Sequence, residues 1–299
     1  MAKAKVGSKR QQYNVSIAFA APFLLLFFVF TVIPVIVAMV LSFTNFNMLQ
    51  EAKFVGLDNY LTLLLEDDVF LTAIKNTFLF AFIIGPASFA ACLFVAWMLN
   101  EFSHKVRTVL TIIFYAPAIS GGIVTIWQIL FSNDSYGIIN NTLISLGFIK
   151  DPIMWLSDAE YIPFVIIAAS LWSSLGTSFL SFVAGLQGVD RSLYEAGAID
   201  GIKNRLQELW YITIPAIKPQ LLFSSLIAIT NAFNIGDICT ALVGFPSPNY
   251  AAHTIVLHMT DYSSTRFELG MACAIATILF LIQVLANKLV NKLIKYAGN

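Results

Sequence analysis

Asn76-Thr-Phe-Leu-Phe-Ala-Phe-Ile-Ile-Gly-Pro-Ala-Ser-Phe-Ala-Ala-Cys-Leu-Phe-Val-Ala-Trp-Met-Leu-Asn100 lies between Lys75 and Glu101 and contains no ionised side chain. A bilayer core about 30 Å thick needs about 20 apolar residues of helix to cross it. Helix is the form required because lipid offers no partner for a backbone N–H or C=O. Working outward, charge-free runs of similar length extend from Arg10 to Glu51, Arg107 to Asp134, Glu160 to Asp190 and Glu268 to Lys288. Another joins Lys218 to Asp261, interrupted only by Asp237. The chain therefore reads as an all-α, polytopic membrane protein. Six transmembrane helices are expected near 15–43, 77–99, 108–131, 161–186, 217–243 and 268–290. Only 11% of the residues are charged, against about a quarter in soluble domains, too few to clothe a water-facing surface.

Lys3, Lys5, Lys9 and Arg10 precede the first run as they would in a secretion signal, but its apolar stretch outlasts the usual core of about 7–15 residues. It reads as an uncleaved anchor. Of the 17 Lys and Arg, 13 fall before the first span, in the loops at 100–107 and 187–218, or in the C-terminal tail; Lys53, Lys75, Lys150 and Arg266 fall on the other side. Positive charge stays inside, so both termini are expected in the cytoplasm. Residues 1–299 form one domain on this reading, since no hydrophilic interval is long enough for a globular module. No Gly-Lys dipeptide occurs, which excludes a GxxxxGK phosphate loop. Cys92, Cys239 and Cys273 all fall in expected spans and read as small hydrophobes. His253 and His258 are five apart, a spacing that would not share a helical face, so no metal is assigned. No cofactor, catalytic set or nucleic-acid partner is expected.

Outside the spans, residues 54–76 carry an amphipathic pattern suited to a short helix along the membrane face. Gly137, Gly147 and Pro152 break the loop at 132–160, and Gly244-Phe-Pro-Ser-Pro forms a turn. The segment richest in signals is the loop at 190–216. Ser192 and Glu195 have the S-x-x-E spacing of a capping box, and Asp200-Gly201 ends the resulting helix in a turn. A second helical piece carries Leu206, Leu209 and Trp210 on one face, and Pro215 and Pro219 bracket re-entry into the membrane.

Glu195-Ala196-Gly197, Asp200-Gly201 and Ile212-Thr-Ile-Pro215 resemble the "EAA" loop of bacterial ABC-importer permeases. Gly197 stands where the family usually has a second alanine, and the interval from Gly201 to Pro215 is a residue longer. Phe54-Val-Gly-Leu-Asp-Asn-Tyr60, Phe114-Tyr-Ala-Pro-Ala-Ile-Ser120 with Trp127, Asn231-Ala-Phe-Asn-Ile-Gly-Asp237, Gly244-Phe-Pro246 and Phe267-Glu-Leu-Gly-Met-Ala-Cys-Ala274 are similar to segments of the family's carbohydrate members. The resemblance implies a type I importer permease fold. It also implies a second homologous permease subunit, an extracellular or periplasmic solute-binding protein, and cytoplasmic ATPase subunits that bind ATP and magnesium. Residues Glu195, Ala196, Gly197, Asp200, Gly201 and Pro215 would dock the ATPase, and a sugar would be the cargo. Glu195 also has a plainer role as a helix cap, and the two are compatible.

A sugar path needs hydrogen-bonding groups and aromatic faces around a shared cavity. Asn231, Asn234 and Asp237 recur every three residues, as on one helical stripe. Tyr115 and Ser120 lie beside Pro117 and Gly121-Gly122, and Trp172 and Ser173 cluster in the fourth span with Ser174. The serines also suit close helix packing, Trp172 and Trp127 suit interfaces, and Asp237 suits a hydrated structural position. Two other functions compete: a permease of the same class for a non-sugar solute, and an ion-coupled carrier. The latter would need buried ionisable groups, of which this chain offers only Asp237.

Overall fold

The computed structural model describes residues 9–120 and 122–297. The first span is α1 (Lys9–Phe27) continued through a wide π turn into α2 (Ile33–Leu41). Short α3 (Asp58–Leu65) leads into α4 (Asp68–Asn100), a single helix of 33 residues with Pro86 inside it. The amphipathic stretch at 54–76 is thus split between a short helix and the first turns of the second span, because Asp67 caps α4 early by accepting from Phe70 N at 2.9 Å. The expected third span is broken into α5 (His104–Ile119) and α6 (Ile123–Leu130); Gly121 lies outside the described residues. A short α7 (Ile138–Ser145) sits in the following loop.

The fourth span also breaks, at Ser174–Gly176, between α8 (Ile162–Ser173) and α9 (Thr177–Gln187). The 190–216 loop holds α10 (Arg191–Ile199), α11 (Arg205–Glu208) and α12 (Ile214–Ala216). The fifth span was expected to be continuous over 217–243. It is α13 (Lys218–Phe233) and α14 (Gly236–Val243), broken at Asn234–Ile235. Then come α15 (Ile255–Thr260) and α16 (Leu269–Ala297). Among the described residues four helices are long and apolar enough to cross a membrane, or up to six if each bent pair counts as one.

Helix α4 packs against α8, α9 and α13, and α16 packs against α13, α15 and α2. Two buried clusters result, one around Phe80, Ile166 and Ile275, the other around Phe179, Phe182 and Ile217. At Gly270 the N–H donates to Phe46 O at 2.8 Å, and an added Cβ would strike the carbonyl oxygen of Thr44, so the last span closes on the exit of the first. As a single long helix, α4 defines two ends: a loop end at Glu101, beside residues 190–216, and a far end at Asp67.

Candidate functional site

At the loop end, Asp190 caps α10 by accepting from Ser192 N at 3.0 Å. This corrects the Ser192–Glu195 box: Asp190, two residues before Ser192, takes the orphan amide, and Glu195 is left exposed with no side-chain hydrogen bond among the described residues. The helix ends as its sequence signals. Ile202 N bonds back to Gly197 O at 2.9 Å and Gly201 N to Ala198 O at 3.4 Å, with Gly201 at φ +96, a conformation that disfavours any side chain. Asp200 is the exposed C-cap, and Ala196 is exposed beside Glu195. Gly197 is buried, and a Cβ there would meet the Cδ1 of Ile212 at 2.5 Å and that of Ile202 at 3.0 Å. The residue that departs from the family pattern thus seats α10 against the second half of the loop, where Tyr194 Oη also lies 3.0 Å from Thr213 Oγ1.

The second half opens with a reciprocal pair: Asn204 accepts from Gln207 N at 2.8 Å, and Gln207 accepts from Lys203 N at 2.9 Å. Of the apolar face expected here, Leu206 and Trp210 point outward, each about two-thirds exposed. Pro215 lies in α12, and the chain then turns by 84° into α13. Ile217, at the turn, is buried in the second cluster. Between loop and bundle lies a crevice of about 500 Å³ lined by Trp97, Glu101, Arg107, Glu195 and Arg205. Arg205 bridges it, donating to Glu101 at 2.6 Å and Glu208 at 2.7 Å.

Deeper in the bundle a cavity of about 490 Å³ is walled by α4, α5, α8, α9, α13 and α14. Asn231, Asn234, Asp237 and Ser173 line it. Tyr115, Ser120 and Trp172 do not: Tyr115 packs on the second buried cluster, while Ser120 and Trp172 are exposed elsewhere. The three polar residues of the fifth span reach the cavity by a different geometry from the uniform stripe that their spacing suggested. The helix stops at Phe233, because Asn234 turns its amide back onto Thr230 O at 2.8 Å, and restarts at Gly236. The side-chain amide of Asn231 makes no hydrogen bond among the described residues, leaving both its donors and its acceptor for an occupant; its backbone carbonyl accepts from Asn234 N at 3.0 Å.

Sequence reading missed Ser88, Ser170 and Ser178, which also line the cavity. Ser88 donates to Gly85 O at 3.0 Å, beside the Pro86 that interrupts the ladder of α4. Ser170 Oγ is buried with no partner among the described residues. The recurrence of serine at 170, 174 and 178 was the available signal.

At the far end, Asp67 accepts from His258 Nε2 at 3.0 Å and from Tyr262 Oη at 3.1 Å. His258 Nδ1 in turn lies 3.0 Å from His253 Nε2. On a helix the five-residue spacing would separate these rings, but α15 begins only at Ile255, so His253 folds back from the preceding turn. Burial pushes His253 down to about 4, with His258 adding to it. Burial also lowers His258, partly opposed by Asp67. Burial alone would raise the Asp67 carboxyl, but Phe70 N–H, His258 and Tyr262 outweigh it and hold its pKa below the ordinary range. Among the described residues no group of three or more His, Cys, Asp or Glu is arranged to hold a metal ion.

An exposed two-helix loop that turns directly into a cavity-lining span finds its match in a family model covering residues 88–295. The chain belongs to the binding-protein-dependent transport system inner membrane component family. It is 30% identical over 298 residues to a probable ABC transporter permease, YesP, of Bacillus subtilis (98% of this chain, 94% of the relative). It is 32% identical over 288 residues to the lactose transport system permease LacF of Rhizobium radiobacter (94% of each). A further relative is the arabinooligosaccharide permease AraP of Bacillus subtilis, 30% identical over 277 residues (92% and 87%). The fold is that of a crystal structure of a bacterial ABC transporter involved in alginate import, with a TM-score of 0.78 at 21% identity over 97% of this chain and 98% of that one.

Proposed function

We propose that this permease is one membrane-spanning subunit of an ATP-driven importer in the bacterial cytoplasmic membrane, carrying a sugar, most fittingly an oligosaccharide. A second permease completes the pathway, an external binding protein delivers the solute, and cytoplasmic ATPase subunits bind ATP and magnesium. Both termini and the 190–216 loop face the cytoplasm. One observation carries the reading: Glu195, unpaired on a helix whose exposed apolar neighbours include Leu193 and Ile199, stands on a loop whose second half turns into the cavity wall. A partner's basic group can take the carboxylate, and its apolar surface can cover Leu206 and Trp210. Inside, unpaired amide and hydroxyl groups suit a neutral, hydroxyl-rich solute, and the relatives named for lactose and arabinooligosaccharides support that class.

Co-purification tests the assignment. The chain expressed with its genomic neighbours should bring down a soluble ATPase, and Glu195→Ala should weaken that association while membrane insertion is kept. A chain that purifies alone and drives uptake by an ion gradient would be a carrier instead. For orientation, single cysteines at Tyr136 and Asn204, in a background lacking the native three, should label with an impermeant thiol reagent in intact cells only at the former.

A further inference from the structure

Helix α4 touches each place where this protein does something. At its loop end Glu101 Oε2 accepts from Arg205 Nη2 at 2.6 Å. Midway, Ile84, Ser88 and Cys92 wall the cavity. At the far end Asn76 Nδ2 donates to Tyr250 O at 2.8 Å and His253 O at 3.0 Å, and Thr77 Oγ1 accepts from Ile255 N at 2.9 Å. Asp67, which caps the helix, takes His258 and Tyr262. At 1.5 Å per residue such a helix is about 50 Å long, and it continues as one helix through Pro86. The covalent route from the loop runs through α13 and α14 and has two joints, the 84° turn at Ile217 and the break at Asn234–Ile235. A jointed path dissipates a displacement that a single packed helix carries from end to end.

We propose that α4 is the rod by which movement of the 190–216 loop reaches the segment 244–266 at the opposite end, with Arg205–Glu101 as its near fastening and Asn76 as its far one. Arg205 and Glu101 are positioning residues; neither touches solute. The proposal rests on the importer reading above. Their side chains are 63% and 41% exposed. Exposed ion pairs add little to stability, so breaking this one leaves the fold in place and alters only what passes along the helix.

The test uses the complete reconstituted assembly in a cysteine-free background with Thr260→Cys, an exposed far-end position. The rate of reaction with an impermeant maleimide is measured with and without ATP-vanadate trapping. Trapping should change that rate in the parent. Glu101→Gln and Arg205→Gln should shrink the change about threefold, as expected for loss of a weak pair. Arg205→Lys, which keeps the charge, should retain more of it, and Asn76→Ala should shrink it from the other end. Vanadate-sensitive hydrolysis should be equal in the parent, Glu101→Gln and Asn76→Ala, all outside the docking loop. A full response in Glu101→Gln, equal loss in Arg205→Lys and Arg205→Gln, or no nucleotide response in the parent would overturn the rod. An assembly that holds no ATPase would overturn the functional reading and the rod with it.

Discussion

The 190–216 loop and the bundle cavity are both polar places in an apolar chain, and they are made in opposite ways. The loop is contiguous: its cap at Asp190, its turn at Gly201 and its exit at Pro215 lie within some 25 residues, and most of its hydrogen bonds are local. The cavity draws on six helices spread from Ile84 to Ile238, and its shape depends on where three spans break. A local device is written in adjacent residues, whereas an assembled one is written in packing. Local damage to the loop should therefore be severe and confined, while cavity changes should grade with the group removed.

The largest effect is expected at Gly201. A side chain at φ +96 carries strain of about 1–3 kcal/mol and would redirect the second half of the loop. Gly201→Asp should cut solute-stimulated ATPase activity of the reconstituted assembly at least about tenfold while the protein still inserts. Normal stimulation would remove the loop's claim to be the docking surface.

Next comes Asn231. An unreplaced hydrogen bond in a cavity is worth about 1–3 kcal/mol, so Asn231→Ala should lower uptake about tenfold at subsaturating solute, with basal hydrolysis unchanged. If it instead abolishes expression, the amide serves packing. Wild-type uptake at every concentration would take Asn231 off the path.

The far-end network is the most dispersed arrangement of all, with Asp67 and His258 separated by 191 residues. His253, held down at about 4, stays neutral in the fold where unfolded histidines take a proton near 6.5, and burial lowers His258 in the same direction. Below that value the unfolded chain binds more protons, so this contribution is full above about pH 6.5 and is lost as pH falls toward 4. The lowered Asp67 carboxyl acts in the same sense at more acid pH, its contribution fading below about 3.9. The melting temperature of the detergent-purified protein should fall by a few degrees from pH 7 to pH 5, and His253→Gln should flatten that slope. An unchanged slope would mean the pair does not titrate with unfolding.

The smallest effect is expected at Gly197. The atoms a methyl would meet are the tips of Ile212 and Ile202, which can swing aside, so Gly197→Ala should leave transport within about twofold. A larger loss would show that the loop tolerates less adjustment than its exposure suggests.

How much was legible follows the same division. Charge-free runs gave the location of the helices, because exclusion of ions from lipid acts residue by residue. The end of α10 was readable from Asp200-Gly201, a glycine signal that needs no tertiary help. Its beginning was misread because Asp190 and Ser192 both have capping chemistry, and which one caps depends on backbone angles that composition does not carry. The breaks at Ser174–Gly176 and Asn234–Ile235 were invisible to an apolar count, since serine and asparagine sit in spans as readily as they end them. Tyr115, Ser120 and Trp172 had suitable chemistry at suitable depth, and their direction was decided by neighbours far along the chain. The His253–His258 contact was hidden for a related reason: helical spacing was applied to residues that do not share a helix.

The contact of Gly270 with Phe46 has a consequence for biogenesis. Translation proceeds at about 5–20 residues per second, so the roughly 220 residues between these positions take about 10–45 s to appear. For that interval the first span lacks α16, the helix that packs along α2, and has only the bonds of its exit to residues 53–60. Its insertion must be driven by its own sequence, and this span is the most apolar of the four long helices and the one with none of its apolar window buried.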